Sequence, residues 1–244
     1  MIKNKPLFTI ITPTLNNKVE LLETINSIKA QNLTNYEYIV IDGGSSDGTI
    51  ELLSENKTIT KWISEKDKGI YDAINKGIKI SSGKYINTIN SGDTYYSKDS
   101  LTIVKSYFEK ENIHFIFGAV QKNKIYYKYE PKKMNWSFNF YPSHSGGFFI
   151  KKEIHDKIGL YSLKYPCSSD YDFFWRLIKN NKYVGISTKK NEVISVFKPG
   201  GFSSKYSFFE HVTEETLIRM NNKQNKFIVL LIFFLRCLLH YKKI

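Results

Sequence analysis

The chain is short of the features that define several large protein classes. Its 244 residues include only two cysteines, Cys167 and Cys237, far apart and in no CxxC pair. A disulfide framework is thereby excluded, and no zinc-ligand spacing remains. No apolar run approaches the roughly 18 to 20 residues of a transmembrane helix. The longest, residues 227–235, is followed at once by Arg236. The opening MIKNKPLFTIITPT has too short an apolar stretch for a signal peptide and is broken by Pro13, so the body is expected in the cytoplasm. Neither GxGxxG nor GxxxxGK[ST] occurs, which leaves dinucleotide and Walker-type phosphate binding without motif support. Acidic residues are few as well. Twenty-three Asp and Glu face 36 Lys and Arg, a formal net charge of +13. That excess favours an anionic partner: nucleic acid, an acidic membrane surface or a phosphorylated substrate.

Hydrophobic residues at 41% and aromatics at 15% exclude a disordered polymer. At about 150 residues per domain, the length fits one large domain or a domain with an appendage. Charge supports the appendage. After Glu215 there is no acidic residue, while Arg219, Lys223, Lys226, Arg236, Lys242 and Lys243 supply six cations. Almost half of the net charge lies in that tail.

The first half alternates β-branched runs with helical periodicity, which predicts βαβ units and a largely parallel sheet. Strands are expected at 7–11, 36–41, 60–64 and 84–89. Val19, Leu21, Leu22, Ile25 and Ile28 share one helical face, and Ile70, Ala73, Ile74, Gly77 and Ile78 another. Beyond about residue 118 the pattern changes. Residues 122–133 are basic and Tyr-rich, as in a hairpin or mobile loop. A strand is expected at 146–150, a helix at 169–180, strands near 183–186 and 193–197, and helices from there to the end. The expected organisation is one α/β domain over 1–204, with halves meeting near 118, and a helical extension over 205–244.

Polar residues cluster just after successive strands: Thr12-Pro13-Thr14, 42–47, 65–68 and 90–93. In an open α/β sheet these carboxyl ends share one crevice, where ligands bind. Taken singly, each has an ordinary reading. Asp42-Gly43-Gly44 is also a turn, and so is Ser91-Gly92-Asp93, although a carboxylate there can hold Mg²⁺ or Mn²⁺ with substrate phosphates. Ser169 reads as a helix N-cap with Asp172 in the capping-box position, and Asp172 with Arg176 as an i,i+4 pair. Asp170 falls in the first helical turn, where the dipole favours its ionised form and suits a general base. His144, before an apolar strand, reads equally as structural. Phe173, Phe174 and Trp175 read as core.

Seven blocks, in order and with family-like spacing over residues 7–204, resemble family 2 glycosyltransferases. They are TIITPTLN from Thr9, IVIDGGSSDGT from Ile39, SEKDKGIYDAINKGI from Ser64, INSGD from Ile89, SHSGGFF from Ser143, SSDY from Ser168 and GGFS from Gly200. The set is most similar to bacterial enzymes of colanic-acid, capsule and O-antigen assembly. The resemblance implies a GT-A fold, that is, a Rossmann-like nucleotide-diphospho-sugar transferase domain with a mixed central sheet. It also implies inverting transfer from a nucleotide-diphosphate sugar, UDP-linked in the favoured reading, to a glycan or lipid-linked saccharide. Carried over by position, Thr12, Pro13 and Thr14 line the nucleotide pocket and Asp42 contacts the base. Asp67 belongs to the nucleotide-side loop, with Asn75 and Lys76 on the helix below it. Ser91 and Gly92 lead to Asp93, the metal-binding carboxylate of the DxD motif, and Asp170 matches the catalytic base. His144 and Asp172 fall on the acceptor side. Two positions depart from the family: Ser91 replaces the first DxD carboxylate, and Ser169 stands where many relatives have Glu.

The implied chemistry suits these residue types. Mn²⁺ or Mg²⁺ at Asp93 would neutralise the leaving diphosphate. A carboxylate on the opposite face of the donor ring would take the acceptor's proton and invert the anomeric centre. A sugar-1-phosphate nucleotidyltransferase is the nearest alternative, but it would carry a Gly-rich basic loop where Thr-Pro-Thr-Leu-Asn-Asn stands. A nucleic-acid-binding module would fit the charge, but no RRM, KH or helix-turn-helix pattern supports it. Residues 227–239, apolar on nearly all sides with Lys223, Lys226, Lys242 and Lys243 as flanks, read as an interfacial helix on anionic lipid or as a buried core helix. The first reading places the enzyme on the inner face of the cytoplasmic membrane.

Overall fold

The computed structural model describes residues 5–110, 112–130, 144–179 and 182–240. Among the described residues, two sheets and eight α-helices are formed. β1 (Phe8–Thr14), β2 (Tyr36–Asp42), β3 (Lys61–Ser64) and β4 (Tyr85–Thr88) alternate with α1 (Lys18–Lys29), α2 (Thr49–Glu55) and α3 (Ile70–Ile80). β5 (Thr94–Tyr95), α4 (Ser100–Phe108), β6 (Phe115–Phe117), β7 (Ala119–Gln121) and β8 (Ile125–Tyr126) lead to β9 (Phe148–Lys151) and α5 (Lys152–Ile158). α6 (Ser169–Lys179), β10 (Gly185–Ser187), β11 (Val193–Val196), α7 (Phe208–Asn221) and α8 (Lys226–Leu239) complete the chain.

The main sheet has the order β10-β6-β9-β4-β1-β2-β3. Four strands, β4, β1, β2 and β3, are parallel neighbours, and β9 runs antiparallel between β4 and β6. The strands of the first half are parallel, as the βαβ rhythm predicts; because β9 enters antiparallel, the whole sheet is mixed, as the family resemblance implies. Its fourth parallel connection is replaced by the short, antiparallel β9. A second sheet, β5-β11-β7-β8, stands beside it.

Period-two alternation distributes the strand residues between two helical layers. Phe8, Ile10, Tyr38 and Val40 pack with Leu21, Ile25 and Ile28 of α1 and Leu101 and Val104 of α4. Ile11 and Ile86 face the other way, against Ile74 and Ile78 of α3 and the aromatic block of α6. Phe173, Phe174 and Trp175 are buried, as expected. Val19 and Leu22 are not part of the α1 core face: they are 71% and 42% exposed, because the sheet covers only the Leu21–Ile25–Ile28 stripe.

β7 and β8 form the hairpin expected near residue 122. The remainder of that basic stretch, 131–133, lies outside the described residues, as do Ser143, Asn180, Lys242 and Lys243. Among the described residues no helix is long and apolar enough to cross a membrane.

Candidate functional site

Parallel register brings Thr14, Asp42 and Ser64 side by side at the carboxyl ends of β1, β2 and β3. Asp42 is fully buried. Its carboxylate accepts the Ser64 hydroxyl at 2.6 Å, the Ser45 N–H at 2.9 Å and the Gly44 N–H at 3.1 Å, together with the Ser45 hydroxyl. Four donors saturate it, so Asp42 shapes the 42–47 turn; a direct bond to a nucleotide base would require exchanging one of them. Gly43 meets the next loop closely: a Cβ there would lie 2.7 Å from Asp67 Oδ2. Asp67 is held in place by the Gly69 N–H, 2.8 Å from its Oδ1. The loops after β2 and β3 therefore touch through a glycine that leaves room for a carboxylate.

Thr12 and Pro13 are buried, and Thr12 Oγ1 accepts the Tyr38 hydroxyl at 3.1 Å. Thr14 Oγ1, by contrast, is buried with no hydrogen-bond partner among the described residues. A buried hydroxyl lacking a partner is costly, and at a strand end it marks a place that a polar ligand would satisfy. The amide of Asn75 clamps the backbone of Tyr161 from both sides, at 2.8 and 3.0 Å. Asn75 thus ties α3 to the floor of the site. Lys76 reaches Glu65 at 2.8 Å and Asp72 at 3.5 Å, bracing the loop that carries Asp67.

The turn after β4 is built around Gly92, whose φ of +99° only glycine adopts without strain. Thr24 of α1 fastens it, accepting the Gly92 N–H at 2.9 Å and donating to the Asp93 carbonyl at 2.8 Å. Ser91 accepts the Asn17 side-chain amide at 3.0 Å. Asp93 is only 5% exposed, and its Oδ1 accepts the Lys198 N–H at 2.9 Å. Burial pushes its carboxyl up to about 7, opposed by that N–H and by the nearby charge of Lys122. Oδ2 has no hydrogen bond among the described residues, and neither has the buried Oδ1 of Asn90 in the same turn.

Among the described residues no three His, Cys, Asp or Glu side chains gather into a complete metal cage. The turn instead presents two unengaged hard oxygens in a desolvated setting. That donor set fits a divalent ion shared with substrate phosphates, since Mg²⁺ is commonly held by one or two carboxylates plus phosphate oxygens.

The third part of the site is the start of α6. Asp170 is half-buried there, and its Oδ1 accepts the Tyr71 hydroxyl at 2.9 Å and the Tyr171 N–H at 2.8 Å. Burial pushes its carboxyl up to about 6, with the Tyr71 bond pulling it down. Oδ2 carries no hydrogen bond among the described residues. Ser169 does not cap this helix. It lies inside the first turn, with its hydroxyl buried and unpartnered among the described residues. The terminus is satisfied from a distance: Glu214 of α7 accepts the Ser168 N–H at 2.8 Å and the Cys167 N–H at 3.1 Å. Asp172 forms the expected pair with Arg176 at 2.8 Å, and that guanidinium clamps the carbonyls of Ile158 and Leu160. At 6% exposure Asp172 belongs to the packing beneath the site.

His144 stacks on Phe197 at 4.4 Å between ring centroids, and burial lowers its pKa to about 4. It is neutral at physiological pH and stands beside the Asp93 turn, close to Lys122.

One loop joins the two chemically open carboxylates. Lys198 donates its N–H to Asp93, and Phe202 sets its ring edge on Tyr71 at 6.3 Å, with the Tyr71 hydroxyl on Asp170. Four peptide steps separate residues 198 and 202, so the loop spans at most about 14 Å. Asp93 and Asp170 are thus tied to one another through the 198–202 loop and Tyr71. Thr24, Lys198, Glu214 and Tyr71 were not singled out in the sequence. Tyr71 lies within the quoted block from Ser64, and Lys198 adjoins Pro199-Gly200-Gly201. Thr24 and Glu214 carry no local signal.

The model of glycosyl transferase family 2 matches residues 9–164. A PGL/p-HBAD biosynthesis glycosyltransferase of Mycobacterium bovis is 28% identical over 187 residues, which are 72% of this chain and 71% of that protein. Among solved structures, S. aureus TarS superposes with a TM-score of 0.69 at 16% identity over 94% of this chain, which spans only 43% of the TarS chain. TarS 1-349 in complex with UDP-GlcNAc gives 0.68 at 16% identity, covering 96% of this chain and 73% of that one. The mannosyltransferase PcManGT of Pyrobaculum calidifontis, in complex with GDP-Man and Mn²⁺, gives 0.69 at 14% identity, covering 98% and 76%. These likenesses establish the GT-A fold. A strand-end crevice on a mixed sheet, matched by the family model over most of its length, leads to one conclusion: this chain belongs to glycosyl transferase family 2 and is a glycosyltransferase.

Proposed function

We propose that the protein is an inverting, metal-assisted glycosyltransferase. It moves a sugar from a nucleotide-diphosphate donor, UDP-linked in the favoured case, to a lipid-linked saccharide in bacterial surface polysaccharide assembly. It works at the cytoplasmic face of the membrane. The observation that carries this reading is the pair of incompletely satisfied carboxylates, Asp93 and Asp170, held at opposite ends of the 198–202 loop. Two solved structures of the same fold, one in complex with UDP-GlcNAc and one with GDP-Man and Mn²⁺, support a nucleotide-sugar donor.

In this mechanism the nucleotide lies along the ends of β1–β3, where the Thr14 hydroxyl gains a partner. Asp42, through the turn it organises, and Asp67 set the outline of the pocket. Lys76 and Asn75 hold α3 beneath it. Asp93, with Asn90 Oδ1, would hold the divalent ion. When bound, that ion stabilises the charge that develops on the departing diphosphate. Ser91 and Gly92 give the turn its shape.

Asp170 Oδ2 takes the proton of the acceptor hydroxyl. The hydroxyl oxygen forms a bond to the anomeric carbon as the bond to the diphosphate oxygen breaks on the opposite face, inverting the centre. A carboxylate raised to about 6 is still ionised at neutral pH, yet more basic than an ordinary Asp. The neutral His144 and the packed Asp172 frame the acceptor side without exchanging protons.

A panel of nucleotide-sugars, assayed for hydrolysis and for transfer to a diphosphate-lipid acceptor analogue, tests this reading. Transfer from one donor with inversion is expected. Turnover with retained configuration, or none with any donor, would overturn it.

A further inference from the structure

α8 reverses the usual arrangement of a surface helix. A soluble helix turns its apolar stripe inward and its polar residues to water. Here Val229 and Ile232 pack inward on α7, and Arg236 reaches back to an ion pair with Glu215 in which both side chains are largely buried. The outward face holds Phe227, Leu230, Leu231, Phe234, Leu238 and Leu239, between 42% and 85% exposed. One contiguous face of this kind on a folded domain marks an interaction site. The helix is well formed: the Asn225 side chain caps it, accepting the Phe227 N–H at 2.9 Å.

The charge around this face identifies the partner. Two of the six tail cations are internal. Arg219 is 1% exposed against the rings of Tyr171 and Trp175, and Arg236 is paired with Glu215. Among the described residues of the tail the outward cations are Lys223 and Lys226, at the N-terminal end of α8; in the sequence, Lys242 and Lys243 follow the helix. Both ends are basic and no acid follows Glu215, so pairing with a second copy in either direction would set cations against cations. An anionic lipid surface meets both features at once, taking up the apolar side chains and matching the lysines.

α7 links this face to the active site. Glu214 holds the N-terminus of α6, which carries Asp170, and the next residue, Glu215, holds Arg236 of α8. We propose that the outward face of α8 seats the enzyme on an anionic membrane surface, and that α7 fixes the base-bearing end of α6 relative to that seat. The inference deepens the reading above by naming where the acceptor comes from, and its purpose rests on a lipid-linked acceptor.

The test is co-sedimentation of the full chain with phosphatidylcholine vesicles, with and without one-third phosphatidylglycerol, alongside donor hydrolysis in solution. Wild type is expected to pellet with the anionic vesicles at least tenfold better than with the neutral ones. The triple substitution Phe227→Ser, Leu231→Ser, Phe234→Ser should lose this binding. Lys223→Glu with Lys226→Glu should weaken it by more than tenfold, since each basic residue near the surface is worth about fivefold. Neither variant touches the catalytic groups, so hydrolysis should stay within twofold of wild type. Equal pelleting of wild type and both variants would overturn the seat. So would a concentration-dependent dimer, dissolved by the serine substitutions and indifferent to vesicles. Vesicle binding without turnover of any donor would leave the seat standing and remove the glycosyltransferase mechanism instead.

Discussion

The donor-side loops and the α6–α7 corner treat their carboxylates in opposite ways. Asp42 sits among four donors within two adjoining turns and is saturated. Asp170 has two donors on one oxygen, none on the other among the described residues, and a pKa raised to about 6. Asp93 resembles Asp170, with one N–H and a value near 7. A saturated buried carboxylate fixes the shape of a loop. One left partly desolvated and partly unpaired retains the capacity to take a proton or a cation. The same residue type is thus saturated at the end of β2 and left partly open both in the turn after β4 and at the start of α6.

Substitutions can break this contrast; among those that leave Asp170 itself in place, the largest effect falls at Asp93. Asp93→Asn keeps an acceptor for the Lys198 N–H but loses the charge. Activity should fall by on the order of 10³, about 4 kcal/mol of lost charge stabilisation, and the residue should cease to respond to Mn²⁺. A steady-state metal titration of wild type and variant checks this; an unchanged Mn²⁺ response would remove Asp93 from metal binding.

Tyr71→Phe should have the next largest effect. It removes the hydroxyl that lowers the Asp170 pKa and directs its carboxylate. A hydrogen bond to a charged group contributes about 1.5–3 kcal/mol, so the acid limb of the pH–rate profile should move upward by about one unit, with kcat reduced around tenfold and KM for the donor little changed. An unshifted limb would make Tyr71 a packing residue.

Gly43→Ala probes the scaffold side and should be the mildest. The new methyl would displace Asp67 from its bond to Gly69, an overpacking strain of about 1–3 kcal/mol. The expected outcome is a several-fold rise in KM for the donor at nearly constant kcat. A fall in kcat alone would place Asp67 among the reacting groups.

The two sides also differ in how far the sequence reveals them. The donor-side turns are local. Asp42-Gly43-Gly44 is legible because its bonds to Gly44 and Ser45 close within three residues, Ser91-Gly92-Asp93 is legible as a turn motif although Thr24 and Lys198 fasten it from afar, and the parallel register follows from the βαβ rhythm. The α6 corner depends on contacts across long separations. Glu214 lies 46 residues from the Ser168 N–H it accepts, and Tyr71 lies 99 from Asp170. With that remote cap invisible, Ser169 read as the helix cap. Arg236 read only as one of the tail cations, because its pairing with Glu215 depends on how α8 folds back on α7. The reading of Asp170 as a base followed from the family resemblance, whereas its partner Tyr71 needed the fold.

The central claim is that Asp170 is the base, and the pH dependence of kcat/KM for wild type and Asp170→Asn tests it most directly. Because burial raises the folded-state pKa, keeping the carboxyl ionised opposes folding: the stability that its neutral form contributes at low pH is lost as pH rises through about 6. Asp170→Asn should therefore melt no lower than wild type at pH 7.5, so lost activity cannot be ascribed to unfolding. The account predicts a wild-type acid limb near 6, absent in the variant, and a rate at pH 7.5 lower by about 10² to 10⁴. A variant within a few-fold of wild type, with the same acid limb, would contradict it.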